Sequence, residues 1–290
     1  MRVALLGFGL IGGSIAHVLR RTRPEWSLAA WSPSGSGPEA AAAAGLVDVA
    51  AGSPADAIDG AELVVLAAPP LACLELIDTL AGSLRDHLAV STVVTDVAST
   101  KSAIVARADE LGLRFVGGHP MAGREVSGFG AADPDLFRDR PWVIVPGAMA
   151  DEDDRARVES LAVACGARPI VMDARDHDAA VAAISHLPLV VAAALVEAVA
   201  GGEGPAREGW TTAAGLAASG WQGMTRLARG DAEMGAGIAA TNAAPVAARL
   251  RDLRAVLDEW LAALERPGGP DEVELTARLS AAKRRLEESG

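Results

Sequence analysis

Val3-Ala4-Leu5-Leu6-Gly7-Phe8-Gly9-Leu10-Ile11-Gly12-Gly13-Ser14 is the stretch whose reading decides the fold. Its four apolar residues have the character of a buried strand, and a helix over Gly12 to Arg21 is predicted to follow directly. Between the two, Gly7 permits a tight turn, Gly9 lets a ligand approach the backbone, and Gly12 lets helix and strand pack closely. A helix starting here presents unpaired N–H groups to a pyrophosphate. Gly7, Phe8, Gly9, Leu10, Ile11 and Gly12 are therefore assigned to binding a dinucleotide. Met1-Arg2 ahead of the apolar run Val3 to Ala16 imitates a secretion signal. The glycines, the continuation into Arg20, Arg21 and Arg23, and the want of a small-residue cleavage site favour strand, turn and helix instead.

The same alternation continues downstream. Further strands are predicted at Ser27 to Trp31, Leu63 to Ala67, Val90 to Thr95, Phe115 to Gly117, Trp142 to Val145 and Ile170 to Met172, with helices such as Leu71 to Leu80 and Lys101 to Leu111 between them. That is the pattern of an α/β chain whose N-terminal part, residues 1–172, is a Rossmann-type doubly wound parallel sheet. After about Asp173 strand-like runs vanish, and residues 173–290 read as an all-helical substrate and dimerisation domain. Its first helix, about His177 to Val199, is apolar nearly all round, so the sheet, other helices or a second subunit should bury it. Pro188 should kink that helix by removing a ladder bond and crowding the carbonyl of Ile184. Helix stops are expected at Gly230, at Asn242 to Pro245 and at Pro267 to Pro270, with Asp271 capping a final helix.

Composition narrows the chemistry. The chain has 290 residues, half of them apolar, and a net charge of −12, which excludes a large basic surface for nucleic acid or anionic lipid. It contains no Tyr, so a Tyr–Lys proton relay is impossible. Cys73 and Cys165 match no metal-ligand spacing and read as buried thiols; no metal is expected. The apolar stretches are broken by Pro69 and Pro70 or by Ser185, His186 and Pro188 before they reach membrane-spanning length, and a cytoplasmic location is expected.

A carboxylate that would bind the adenine ribose of NAD is expected about 20 residues beyond the glycines. Ser32 stands there, with Ser34 close by. With no charge to repel a 2′-phosphate and two hydroxyls to bind it, NADP is favoured over NAD, although no arginine follows. Ser32 and Ser34 join the cofactor residues. Two more segments place polar groups beyond strand ends, where open sheets meet ligand: Asp96-Val97-Ala98-Ser99-Thr100-Lys101 and Gly117-Gly118-His119-Pro120-Met121-Ala122-Gly123. An imidazole at His119, held between glycines and a proline, can accept a proton near neutral pH.

With these segments on the page, the chain resembles the prephenate and arogenate dehydrogenases, the TyrA-type family. The resemblance rests on Gly7 to Ser14, Asp96 to Lys101, Gly117 to Gly123 with Ser127-Gly128, Leu136-Phe137, His177-Asp178, and Ile184 to Pro188; Gly220 to Arg226 match more loosely. It implies an NAD(P)-dependent oxidative decarboxylation of a cyclohexadienyl substrate, in which hydride leaves and the ring becomes aromatic. By position, His119 takes the substrate's hydroxyl proton, Ser99 orients that hydroxyl, and Arg226 binds a carboxylate, for which a guanidinium is suited. His186 is taken as substrate-binding, the alternative being a satisfied core histidine. Lys101 and Arg124 receive no role. Leu189 stands where many prephenate-using members have a second histidine. Gly235 and Ala236 stand where they have a large aromatic residue and an arginine. Both departures favour arogenate. The resemblance also implies a homodimer. Two rivals remain: another two-domain NAD(P)-dependent reductase, such as a pyrroline-carboxylate type, and a non-catalytic nicotinamide-binding sensor.

Overall fold

The computed structural model describes residues 1–124 and 126–289. Its N-terminal part is built from β1 (Arg2–Leu6), α1 (Leu10–Thr22), β2 (Ser27–Trp31), α2 (Ser36–Ala43), β3 (Val49–Ala50), α3 (Pro54–Ile58), β4 (Leu63–Leu66), α4 (Pro70–Ala81), β5 (Val93–Asp96), α5 (Ser102–Glu110), β6 (Phe115–Pro120), β7 (Pro141–Pro146), α6 (Glu152–Ala164) and β8 (Arg168–Val171). The strands form one sheet in the order β3-β2-β1-β4-β5-β6-β7-β8. Alternation sets the two cores: Val3, Leu5, Leu63 and Val65 point into one, Ala4, Leu6, Val64 and Leu66 into the other. Both faces are thus covered, as a largely parallel sheet requires. Strand order reverses between β1 and β4, so the crevice beyond their C-terminal ends is where a ligand is expected.

Three expectations need correction. The sheet is not wholly parallel, because β7 runs antiparallel to β6, pairing His119 with Val143 and Pro120 with Trp142. The two-residue β3 adds a strand to those expected, being too short to show a sequence pattern. β5 starts at Val93 rather than Val90, whose side chain is exposed and so offers no pattern for a buried strand.

The C-terminal part is helical: α7 (Ala174–Val181), a π-helical turn (Ala182–His186), α8 (Leu187–Ala200), α9 (Trp210–Gly215), α10 (Ser219–Thr225), a 3₁₀ turn (Arg226–Arg229), α11 (Ala232–Thr241), α12 (Ala243–Leu264) and α13 (Glu272–Ser289). Asp231 and Asp271 cap α11 and α13 by accepting the N–H groups of Met234 and Val273. Pro188 acts through the π turn just before it. A proline supplies no N–H and crowds the preceding turn, and a widened turn accommodates both effects.

Within one protomer Ala192 is the buried residue of α8 and most of the others are half-buried, so this chain covers its apolar surface in part. In addition, Ala174–Ala200 runs as one helix that is long and apolar enough, by length and composition, to cross a membrane. The Ser185, His186 and Pro188 interruptions broke the apolar run in sequence, but not the helix.

Candidate active site

The glycine loop lies at the strand-order reversal. Gly7 adopts φ +97°, and a Cβ there would lie 2.3 Å from the carbonyl oxygen of Ala67, so β1 and the end of β4 meet through glycine alone. A Cβ on Gly12 would lie 2.5 Å from the Gly7 oxygen. Gly9 differs, because a Cβ there would meet nothing nearer than 4.0 Å. Its openness is of use to a ligand rather than to packing, and the cradle fits a dinucleotide pyrophosphate at the N-terminus of α1. The Gly7 N–H donates to Trp31 O at 2.8 Å, which brings the end of β2, and Ser32 after it, beside the loop. Ser34 and Ser36 hydroxyls lie 3.1 Å apart on the same exposed turn. Phe8 is buried against Phe129, with ring centroids 5.3 Å apart. Arg124 pairs with Asp133, whose backbone N–H donates to Ser14 Oγ on α1 at 2.9 Å.

A second cluster forms beyond the adjacent ends of β5 and β6. Asp96 closes β5 and is fully buried with Lys101, to which it is ion-paired. Its oxygens also accept N–H bonds from Gly118 at 3.1 Å and Ala98 at 3.0 Å. Burial pushes the Asp96 carboxyl up, and Lys101 and these N–H groups act against it. Lys101, just ahead of α5, is therefore interior. A Cβ on Gly118 would lie 2.6 Å from Asp96 O, which accounts for glycine at that place. The loop folded over this pair carries half-buried Ser99. His119 emerges next to it, buried, on β6.

His119 Nδ1 lies 2.8 Å from His177 Nε2, and His177 Nδ1 lies 2.8 Å from Asp178 Oδ1. Asp178 also accepts the N–H groups of Lys101 and Ser102, each at 2.8 Å. Asn242 Nδ2 donates to Asp178 O at 2.9 Å and to His186 Nδ1 at 3.0 Å. The amide donor at Nδ1 places the proton of neutral His186 on Nε2, which is buried with no partner among the described residues. Burial first, then the neighbouring His177, Lys101 and His186, hold His119 well below the usual histidine range. Burial likewise pushes His186 down to about 4. Both are neutral at physiological pH. Burial opposes ionisation of Asp178, yet hydrogen bonds from His177, Ser102 and the backbone hold its carboxyl below the ordinary value.

The structure thus gathers His119 and His186 around His177 and Lys101, while Ser99 sits half-buried on the loop after β5. Arg226 heads the 3₁₀ turn packed on α8, where it is exposed. His177, Asp178, Asn242 and the Asp96–Lys101 pair are site residues to which sequence reasoning gave no role. The adjacent His177-Asp178 at the head of the helical part was the available signal.

A glycine cradle at a strand-order reversal, next to a neutral buried histidine with a helical part closing over it, defines a nicotinamide-dependent dehydrogenase of the two-domain type. The family models agree: "Prephenate dehydrogenase, nucleotide-binding domain" matches residues 15–171 and "Prephenate dehydrogenase, dimerization domain" matches 173–278. The chain belongs to the prephenate dehydrogenase family. It is 31% identical to the prephenate dehydrogenase of Bacillus subtilis over 267 residues, covering 91% of this chain and 68% of that one. The arogenate dehydrogenase of Synechocystis superposes with a TM-score of 0.80 at 32% identity, covering 100% of both chains. The prephenate dehydrogenase of A. aeolicus, solved with hydroxyphenyl propionate and NAD+, superposes with a TM-score of 0.88 at 26% identity, covering 100% of this chain and 98% of that one. Family membership sets aside the pyrroline-carboxylate type of reductase.

Proposed function

We propose that the protein oxidatively decarboxylates L-arogenate in preference to prephenate, with NADP in preference to NAD. The observation that carries the reading is His119: neutral, buried, fixed near the end of β6, and bonded at Nδ1 so that Nε2 is left as its basic nitrogen. His119 Nε2 takes the proton of the ring hydroxyl as the C–H pair leaves the same carbon. Ser99 orients that hydroxyl. Bound at the glycine loop, the oxidised nicotinamide supplies the hydride acceptor. The C–H pair leaves as hydride and the O–H pair forms the carbonyl bond; the pair freed as carbon dioxide departs then shifts through the ring and returns the carbonyl pair to oxygen, which takes its proton back from His119 as the phenol. Arg226 binds a substrate carboxylate through its planar fork, and the Nε2–H of His186 donates to a substrate oxygen. Gly7, Phe8, Gly9, Leu10, Ile11 and Gly12 hold the pyrophosphate, and Ser32 and Ser34 hold the adenine ribose phosphate.

Support for arogenate comes from two positions that lie together: a Cβ on Gly235 would be 3.7 Å from Leu189 Cδ2. The two departures from prephenate-using relatives therefore act on one spot, which is apolar and small here. The division falls at 172/173. A homodimer in the cytoplasm completes the reading, in keeping with the partly covered apolar surface of α8. The test is reduced-nicotinamide absorbance with each substrate and each cofactor, on the wild type and on His119→Asn. Arogenate with NADP should turn over fastest. His119→Asn should lose about 10²- to 10⁴-fold in kcat with cofactor affinity intact. Faster turnover of prephenate would refute the substrate assignment, and full activity of His119→Asn would refute the base. A sensor would show no turnover with any pair.

A further inference from the structure

We propose that His177 and Asp178 are positioning residues that fix the tautomer and direction of His119, so that its Nε2 lone pair meets the substrate hydroxyl. This inference rests on the reading of His119 as the base.

The donors are ordered from the far end of the chain. The Asp178 carboxylate can only accept, and it already holds the N–H groups of Lys101 and Ser102. His177 Nδ1, 2.8 Å from it, must therefore be the donor. With that hydrogen on His177 Nδ1, the bond between the rings is made by His177 Nε2 accepting from His119 Nδ1, 2.8 Å away. That leaves Nε2 as the one acceptor on His119. The two imidazoles meet edge-on at 78° with centroids 5.0 Å apart, so a directed bond and not stacking holds them. When the hydroxyl proton arrives at Nε2, the imidazolium keeps its Nδ1–H bond to His177, and Asp178 need not be protonated.

The chain of bonds also spans the seam between the two parts of the protomer. His119 and the N–H groups of Lys101 and Ser102 belong to the sheet part; His177 and Asp178 belong to α7. Asn242, between α11 and α12, ties down the Asp178 carbonyl. Lys101 and Asp96 face the cluster from the sheet side and His186 faces it from the π turn. The base therefore takes its reactive tautomer only when the helical part is docked on α5.

The experiment uses His177→Leu and His177→Gln in the full chain, with steady-state kinetics, cofactor binding, thermal melting, and ¹⁵N-histidine NMR of the wild type. His177→Leu removes the acceptor. It should lower kcat about 10- to 100-fold while KM and cofactor affinity stay unchanged. In His177→Gln the introduced amide oxygen can still accept the His119 Nδ1–H, and this variant should regain most of the loss. In the wild-type spectrum His119 should be protonated at Nδ1 and bare at Nε2. Wild-type kcat in His177→Leu, equal losses in both variants, or a proton on His119 Nε2 would each overturn the proposal. If His177→Leu does not fold, the wild-type spectrum decides alone. An inactive His119→Asn beside a fully active His177→Leu sinks the relay and spares the base, whereas an active His119→Asn sinks the base itself.

Discussion

The two halves of the protomer differ in how completely they are closed. In the sheet half even a carboxylate and an ammonium, Asp96 and Lys101, are wholly buried with each other and with backbone donors. In the helical half Ile184 is 70% exposed and Leu216 79%, and α12 shows a stripe of Leu257, Leu261 and Leu264 to solvent. Apolar burial supplies about 25 cal/mol per Å², so a half that leaves its stripes uncovered forgoes much of its own stabilisation. Except for β8, whose residues are all exposed, the sheet half buries most of its strand residues within one chain, whereas the helical half leaves apolar stripes open.

The strongest way to break this comparison is to charge the α12 stripe. Leu257 and Leu261 are one helical turn apart on the same face, and in a symmetric dimer each substitution occurs twice. Leu257→Asp with Leu261→Asp should raise the dimer dissociation constant by at least about 10⁴-fold, from about 1.5 kcal/mol for each of four buried side chains. Sedimentation at micromolar concentration should then find a monomer where the wild type is a dimer. A wild-type monomer under those conditions would mean the helical half stands without a partner.

A smaller effect separates two glycines of the sheet half. Gly12→Ala forces a Cβ to 2.5 Å from the Gly7 oxygen in a backbone that cannot yield. The overpacking costs about 1–3 kcal/mol, or about 2–12 °C in Tm. Gly9→Ala meets nothing within contact distance and should leave Tm unchanged while weakening cofactor binding measured by fluorescence titration. Equal losses of Tm would show that Gly9 is part of the packing after all.

Legibility followed the same division. The glycine loop, β2 and the sheet's apolar runs could be read because each obeys a local rule, a strand period or a turn chemistry. The glycines and proline around His119 suggested a loop after Gly117, whereas β6 runs on through Pro120 and carries His119 within the strand. What stayed hidden was made by distant pairing. The burial of Lys101 depends on Asp96 turning back on it across a loop. The partners of His119 lie 58 residues downstream on another element. The antiparallel β7 follows a long loop, and hydrophobic pattern alone does not give strand direction. What covers α8 stayed open because a helix apolar all round reads the same whether its own chain or a second copy covers it.

The smallest effect is one of pH, and it probes whether the seam between the halves is as closed as the sheet itself. His119 belongs to the sheet half and His186 to the helical half, and burial lowers both, the first well below the usual range and the second to about 4. In the unfolded chain each titrates at about 6.5. Below that value the unfolded state binds protons that the folded state refuses, so stability is full above about pH 6.5 and falls as pH drops toward 4. Asp178 acts in a different window. Its lowered folded value contributes stability that is lost only below its unfolded value of about 3.9. Melting curves between pH 7 and pH 5 should therefore show Tm falling in the wild type, with a shallower fall in His186→Gln, which keeps a neutral side chain throughout. A flat wild-type profile would mean that solvent reaches both histidines and that the seam opens in solution. A slope that His186→Gln leaves untouched would assign the whole effect to His119 and make the sheet half alone responsible for it.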